Sequence, residues 1–217
     1  MLRNAVKNCE DCPLGPQGAC RFKPKKLEAG TQVWGQGEDE LPLLFVKEGV
    51  LGVSASDAEG RELMAGVRGP RSMLGLETLR AQPARATVVA LTEVTVCSAT
   101  PAALKPQLNL VETTTLLDFA LDELTQATRD ADLRTGPALT RVARFLLRYG
   151  ALLAPGRRAP FSKRHVAALL DVRPETMSRC LRTLAEAGLI TSTRAVSVKD
   201  AVKLESVASG HLLNDQP

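Results

Sequence analysis

The apolar residues of this chain change period several times between its two ends. From Leu27 to about Thr100 they fall in short runs: TQVW, LLFV, VLGVSA, ELMAGV, ATVVAL and TEVTVC. Gly30, Gly37, Gly49, Gly60, Gly69 and Gly75 punctuate this stretch. Strands so short and evenly spaced predict an antiparallel sandwich or jelly-roll barrel. Asp57-Ala-Glu-Gly60 reads as a hairpin loop, and Cys97 closes the last good strand before a turn at Pro101. Residues 104–133 then hold one helical period. Leu110, Thr114, Leu117, Leu121, Leu124, Thr128 and Ala131 recur at alternating spacings of four and three, the a/d seam of a two-stranded coiled coil. One stripe does not tell a partner chain from the helix's own domain. Leu116 and Ala120, beside the seam, are placed to cover the roll while the seam pairs two chains.

Arg134-Thr-Gly-Pro137 breaks the helix and marks a domain boundary. Leu139, Val142, Ala143, Leu146 and Leu147 form the stripe of a supporting helix, followed by a loop containing Pro155, Gly156 and Pro160. The stretch FSKRHVAALLDVRPETMSRCLRTLAEA, from Phe161 to Ala187, predicts two short amphipathic helices. In the first, Val166, Ala167 and Leu170 share a face; Asp171-Val172 breaks the period, and Pro174 opens the second. There Met177, Cys180, Leu181 and Leu184 point one way, with Glu175, Thr176, Ser178, Arg179 and Arg182 towards the other side. Small Ala167 permits close crossing, so the pair reads as a helix-turn-helix with an exposed polar second helix. Asp171 stands where such turns usually carry glycine, and Asp tolerates the left-handed conformation better than most residues. Leu189-Ile190 and the alternating Ala195–Val198 read as a short two-stranded wing, with a frayed tail from Gly210.

These patterns predict an α+β chain in four parts. Residues 1–26 form an N-terminal loop, 27–103 a β-roll, 104–135 a dimerisation helix, and 136–217 a winged helix-turn-helix domain. Its 44% apolar and 24% charged residues belong to a globular protein of 217 residues. No apolar run approaches membrane-spanning length, and MLRNAVKNCEDC lacks the apolar core of a signal peptide, so a cytoplasmic location is expected.

Charge sharpens the picture. The net +4 conceals 12 basic against 12 acidic residues over 1–103 and 2 against 6 over 104–133. Over 134–194 the count is 12 basic against 3 acidic. The excess surrounds the helix-turn-helix, where a polyanion binds. No Ser-His-Asp set, phosphate loop or carboxylate pair argues for catalysis.

Cys9, Cys12 and Cys20 lie in a loop rich in glycine and proline, CEDCPLGPQGAC. Three thiolates within a dozen residues can converge on one metal centre, with a fourth ligand from elsewhere. Arg21, Lys23, Lys25 and Lys26 follow, either offsetting a thiolate cluster or forming a plain solvated run. Cys180, on the apolar side of its helix, reads as a small buried residue.

In this order the parts resemble the CRP/FNR superfamily of bacterial transcription regulators over nearly the whole chain. PETMSR followed by CLRTLAEAGLI carries the resemblance alongside the glycine-punctuated roll and the coiled-coil helix. Glu175, Ser178 and Arg179 match the E-x-x-S-R of the FNR branch. This implies a homodimer reading an FNR-type palindrome in double-stranded DNA, with RNA polymerase as a further partner. FNR regulators also resemble this chain in having three N-terminal cysteines and one late in the roll, which bind an oxygen-labile 4Fe-4S cluster. The resemblance assigns that cluster to Cys9, Cys12, Cys20 and Cys97. Two departures are plain: the gap from Cys12 to Cys20 is wider than in FNR, and Cys20 runs almost directly into the roll. A zinc site with four cysteine ligands, a Cys9–Cys12 disulfide switch and no metal at all remain alternatives. The grip on cyclic AMP in the CRP branch, a Gly-Glu-Leu turn and an Arg-Ser pair, is replaced here by GLETLRAQPARATVV. Arg85 precedes Ala86 and Glu77 is out of register, so cyclic AMP is not expected. Neither is haem, because His165 lies in the helix-turn-helix and His211 in the tail.

Overall fold

The computed structural model describes residues 5–6, 12, 20–56, 58–60, 62–104, 110–150, 163–191 and 196–210. Eight strands build the roll: β1 (Lys23–Leu27), β2 (Gln32–Trp34), β3 (Leu43–Glu48), β4 (Leu51–Ser56), β5 (Glu62–Arg68), β6 (Met73–Leu74), β7 (Thr87–Ala90) and β8 (Val94–Ala99). They form two antiparallel four-stranded sheets, ordered β1-β8-β3-β6 and β2-β7-β4-β5. The predicted runs account for most of these strands. β1, the short β6 and a 3-10 turn over Leu76–Arg80 have no counterpart among those runs.

Continuous apolar LLFV in β3 has a physical reason: its sheet is covered on both faces. Leu44 and Val46 join Trp34, Leu51, Val88, Val94 and Val96 in the core of the roll. Leu43 and Phe45 point the other way, into a second cluster with Cys12, Phe22, Met73, Cys97, Ala99, Leu116 and Phe119. Gly49 (φ +86°) turns β3 into β4 where a Cβ would strike the Glu93 carbonyl, so only glycine fits.

β1 begins at Lys23, so the roll starts inside the segment 1–26 assigned to the loop. Pairing with β8 is the cause, and the exposed lysines line the open edge of the sheet, a usual guard against edge-to-edge association. Cys97 does not end β8, which continues to Ala99, and Pro101 opens the short helix α1 (Pro101–Leu104) rather than a turn.

Helix α2 runs from Leu110 to Asp132. Leu116 (8% exposed) and Phe119 (6%) pack into the second cluster, whereas Leu117, Leu121 and Leu124 stand 58%, 53% and 65% exposed. Ala120 is exposed, so Phe119 takes the covering role expected of it: a phenyl ring one position earlier reaches the sheet, and edges onto Phe45 at 5.6 Å between centroids. Arg68 at the end of β5, 4% exposed, forms an ion pair with Glu123 of α2, its Nε lying 2.8 Å from both carboxylate oxygens.

By compactness the chain divides between Thr128 and Arg129, within α2. The unit from Arg129 onward contains α3 (Ala138–Tyr149), α4 (Lys163–Leu169), α5 (Pro174–Glu186) and α6 (Ala201–Ala208). Val142, Phe145, Leu146, Val166, Leu170, Met177, Leu181, Leu184, Leu204 and Val207 are buried in it. Of the expected wing, residues 192–195 lie outside the described residues; among the described ones Ile190 bridges Val198, flanked by Thr191 N–H to Ser197 O at 3.0 Å. Helix α6 has no counterpart among the elements the sequence pattern predicts. Asp200 caps it, its side chain accepting from Lys203 N–H at 2.9 Å, a signal that was present in the sequence.

Candidate functional site

Helix α5 starts at Pro174, whose ring pre-sets the first helical φ, after Arg173 in extended conformation. Its buried face is Met177, Cys180, Leu181 and Leu184. Glu175, Ser178, Arg179 and Arg182 are exposed and Thr176 is half-buried, so the polar residues of the predicted reading helix share the outer side. Arg173, which falls outside the periodic pattern of α5, is also exposed, immediately before the helix.

The turn before α5 is tightly held. Leu170 N–H and Val172 N–H donate to Val166 O and Ala167 O, each at 2.9 Å. Asp171 takes φ +50°, the left-handed conformation normally left to glycine. Arg134 Nε donates to Leu169 O at 3.1 Å, and Arg141 Nη1 donates to Leu170 O and Asp171 O at 3.0 Å. These carbonyls are the negative end of α4, where a cation is favoured.

Part of the basic excess thus serves the fold. Arg144 donates from Nη1 to Asp132 O at 3.1 Å and Thr135 O at 3.0 Å, and from Nε to Ala208 O at 2.8 Å. Arg148 lies 3.8 Å from Asp130 and over the ring of Tyr149. Among the described residues of this region, Arg173, Arg179 and Arg182 are left facing outward. Burial raises the Cys180 thiol pKa, with the charges of Arg179 and Arg141 opposing, so this cysteine stays protonated at neutral pH.

The remaining cysteines belong to the other unit. Cys12 and Cys97 are buried in one apolar cluster with Phe22, Phe45 and Phe119. Cys97 lies directly opposite Phe45 across the β8–β3 ladder and opposite Pro24 across β8–β1. Cys20 is exposed, its Sγ 3.7 Å from Phe22 O, and Cys9 lies outside the described residues. Among the described residues no three of His, Cys, Asp and Glu converge as metal ligands. Arg21, considered as an offset for thiolate charge, donates to Leu104 O at 3.5 Å.

The stretch that would grip a cyclic nucleotide has other duties. Gly75 (φ +80°) packs its α-carbon against the Pro42 carbonyl, Glu77 is half-buried in the 3-10 turn, and Arg85 is exposed. The Ala86 carbonyl accepts from the indole N–H of Trp34 at 3.1 Å. His165 is exposed on α4. Among the described residues no helix is long and apolar enough to cross a membrane.

A β-roll feeding a long helix and then a helix-turn-helix with a wing defines a DNA-binding regulator carrying a ligand-type domain. Residues 24–109 match the cyclic nucleotide-binding domain, and residues 140–207 match the Crp-like helix-turn-helix domain. Among curated proteins none matches the chain by sequence. A CRP-family transcriptional regulator from Thermus thermophilus is similar in structure, at 25% identity and TM-score 0.70, covering 87% of this chain and 98% of its own. FixK2 from Bradyrhizobium japonicum shares the fold at 21% identity and TM-score 0.74, with 88% and 99% coverage. So does a CRP/FNR-family regulator, also from Thermus thermophilus, at 22% and 0.71, with 88% and 100% coverage. With both domains matched in this order, the chain belongs to the CRP/FNR family of transcription regulators. These are DNA-binding proteins, typically dimeric, and not enzymes.

Proposed function

We propose that the protein regulates transcription as a homodimer that reads an FNR-type palindrome and is switched by an iron–sulfur cluster. The observation carrying the DNA reading is the outward face of α5. Glu175, Ser178, Arg179 and Arg182 stand exposed on a helix whose other face is buried, on a turn held by arginines. Arg179 can give guanine a bidentate pair, Glu175 can accept from cytosine, and Ser178 and Thr176 are short enough for close approach. Arg182 suits phosphate. Two half-sites need two copies, and the exposed Leu117, Leu121 and Leu124 supply an apolar seam for a second copy; Leu110 shares their register in the sequence pattern, its side chain lying outside the described ones. RNA polymerase is the downstream partner. Cyclic AMP is not the signal, since Arg85-Ala86 lacks the serine of an Arg-Ser pair.

For the switch, Cys9, Cys12, Cys20 and Cys97 would hold the cluster. Support comes from Cys12 and Cys97 sharing one apolar cluster, with Cys20 two residues before Phe22 of the same set. Four thiolates suit a 4Fe-4S centre and, chemically, zinc as well. A bound cluster supplies sensitivity to oxygen; the chain supplies the thiolates, the apolar wall of Phe22, Phe45 and Phe119, and the contact with α2. A second reading is a regulator with structural zinc, a thiol switch or no metal that binds DNA constitutively. It is favoured by the exposure of Cys20, which faces solvent while Cys12 and Cys97 are buried. Anaerobic purification separates the two. Brown protein containing iron and sulfide, bleaching in air with a fall in DNA affinity, supports the cluster; colourless protein with unchanged affinity in air supports the second reading.

A further inference from the structure

Arg141 belongs to the basic excess that charge counting assigns to DNA, yet its contacts are to backbone carbonyls. From α3 its Nε reaches Gly136 O at 2.8 Å, while Nη1 reaches Leu170 O and Asp171 O at 3.0 Å. Those last two oxygens flank the α-carbon of Asp171, the residue at φ +50° in the turn between α4 and α5. An L residue adopts that conformation only at a cost, and the carbonyls at a helix C-terminus lack intrahelical donors. One guanidinium therefore offsets both problems at the point that fixes where α5 begins. Its charge is also felt at Cys180, on the buried face of α5.

We propose that Arg141 is a positioning residue for DNA reading: by holding the Asp171 turn it sets how Glu175, Ser178 and Arg179 meet base edges, without itself neutralising a phosphate. The inference rests on the base-reading role proposed for α5. A planar fork satisfies several carbonyls at once, which a lysine ammonium on a flexible stem does less well.

The test uses the full-length protein, the palindromic duplex recovered by selection from a randomised pool, and a random duplex of equal length. Affinities for both are measured across a salt series, with unfolding midpoints, for wild type, Arg141→Gln, Arg141→Lys, Asp171→Gly and the double variant Arg141→Gln/Asp171→Gly. In Arg141→Gln the palindrome-to-random ratio should fall by about tenfold, the size of one good base contact. Random-duplex affinity and the salt slope should stay at their wild-type values. Arg141→Lys should be intermediate, and Asp171→Gly, by removing the strain, should recover most of the ratio in the double variant. Equal losses on both duplexes with a slope smaller by about 1 would make Arg141 a phosphate contact and overturn the proposal. So would an unchanged ratio, or a lost ratio that glycine does not recover. If Arg141→Gln does not fold, Arg141→Lys is read by the same criteria. A wild type that prefers no palindrome overturns the base-reading role as well, and shows itself before any variant is compared.

Discussion

The phenolic hydroxyl of Tyr149, at the end of α3, donates a 2.7 Å hydrogen bond to Oδ1 of Asp130, a fully buried carboxylate in the last turns of α2. Arg148 stacks over the same tyrosine ring, 5.2 Å from its centroid, and lies 3.8 Å from the same oxygen. The last turn of α2 is thereby tied to the DNA-binding unit, in keeping with a division of the chain at Arg129 rather than at the Arg134–Pro137 break. Tyr149→Phe removes the donor and leaves a buried carboxylate short of one hydrogen bond. It should lower the stability of this unit by about 1–3 kcal/mol, read as a reduced denaturant midpoint at unchanged slope.

Arg179→Ala should weaken binding to the palindrome by ~1–3 kcal/mol and relax preference at one base per half-site. Arg182→Ala should lower affinity for all duplexes about equally and reduce the salt slope by about 1. Competition with random DNA distinguishes the two, and a uniform loss for Arg179→Ala would remove its base-reading role.

Leu117 and Leu121 project from α2 with more than half their surface exposed. Glutamate at both should yield folded monomers that bind palindromic DNA poorly, because the apolar seam becomes a line of like charges beside Asp118 and Asp122. Sedimentation is the check; a dimer unaffected by both changes would move the interface elsewhere.

Serine at any of Cys9, Cys12, Cys20 or Cys97 should remove iron and sulfide and lower DNA affinity together. Cys180→Ser should keep the cluster, since Cys180 lies on the buried face of α5. Full iron loading in Cys97→Ser would break the assignment, because Cys97 is the ligand proposed from the roll.

Burial holds the Cys180 pKa above the ordinary thiol value, so the folded state keeps a proton that the unfolded state gives up. The sign follows: this contribution to stability is complete below about pH 8.5, and is lost as pH rises from there through the folded pKa. In folded apoprotein, prepared free of iron and zinc, Cys180 should resist alkylation at pH 7 while exposed Cys20 reacts, which mass spectrometry of the labelled chain resolves. Equal labelling of both would contradict the burial.

Local chemistry made the DNA-binding motif legible. Pro174 at the helix start, Asp171 in the turn and the apolar set Met177, Cys180, Leu181 and Leu184 each act within a few residues of one another. The strands were legible for a similar reason: glycines such as Gly49 occupy turns that exclude a Cβ. Periodicity also marked two sides of α2, but could not say that Phe119 and not Ala120 would meet the roll, because that depends on Phe45 of a distant strand. The destinations of the arginines lay further out of reach. Arg68 finds Glu123 across 55 residues, Arg134 finds Leu169 across 35, and Arg144 finds Ala208 across 64. A guanidinium reads the same in sequence whether it faces a phosphate or a helix-end carbonyl, so its role is decided only when folding brings an acceptor within reach. Sequence alone determined the order of roll, long helix and reader, with the face the reader presents. Tertiary structure decided which of the described arginines stay facing outward and that the end of α2 belongs to the same unit as the helix-turn-helix, since those outcomes depend on long-range burial and hydrogen bonding.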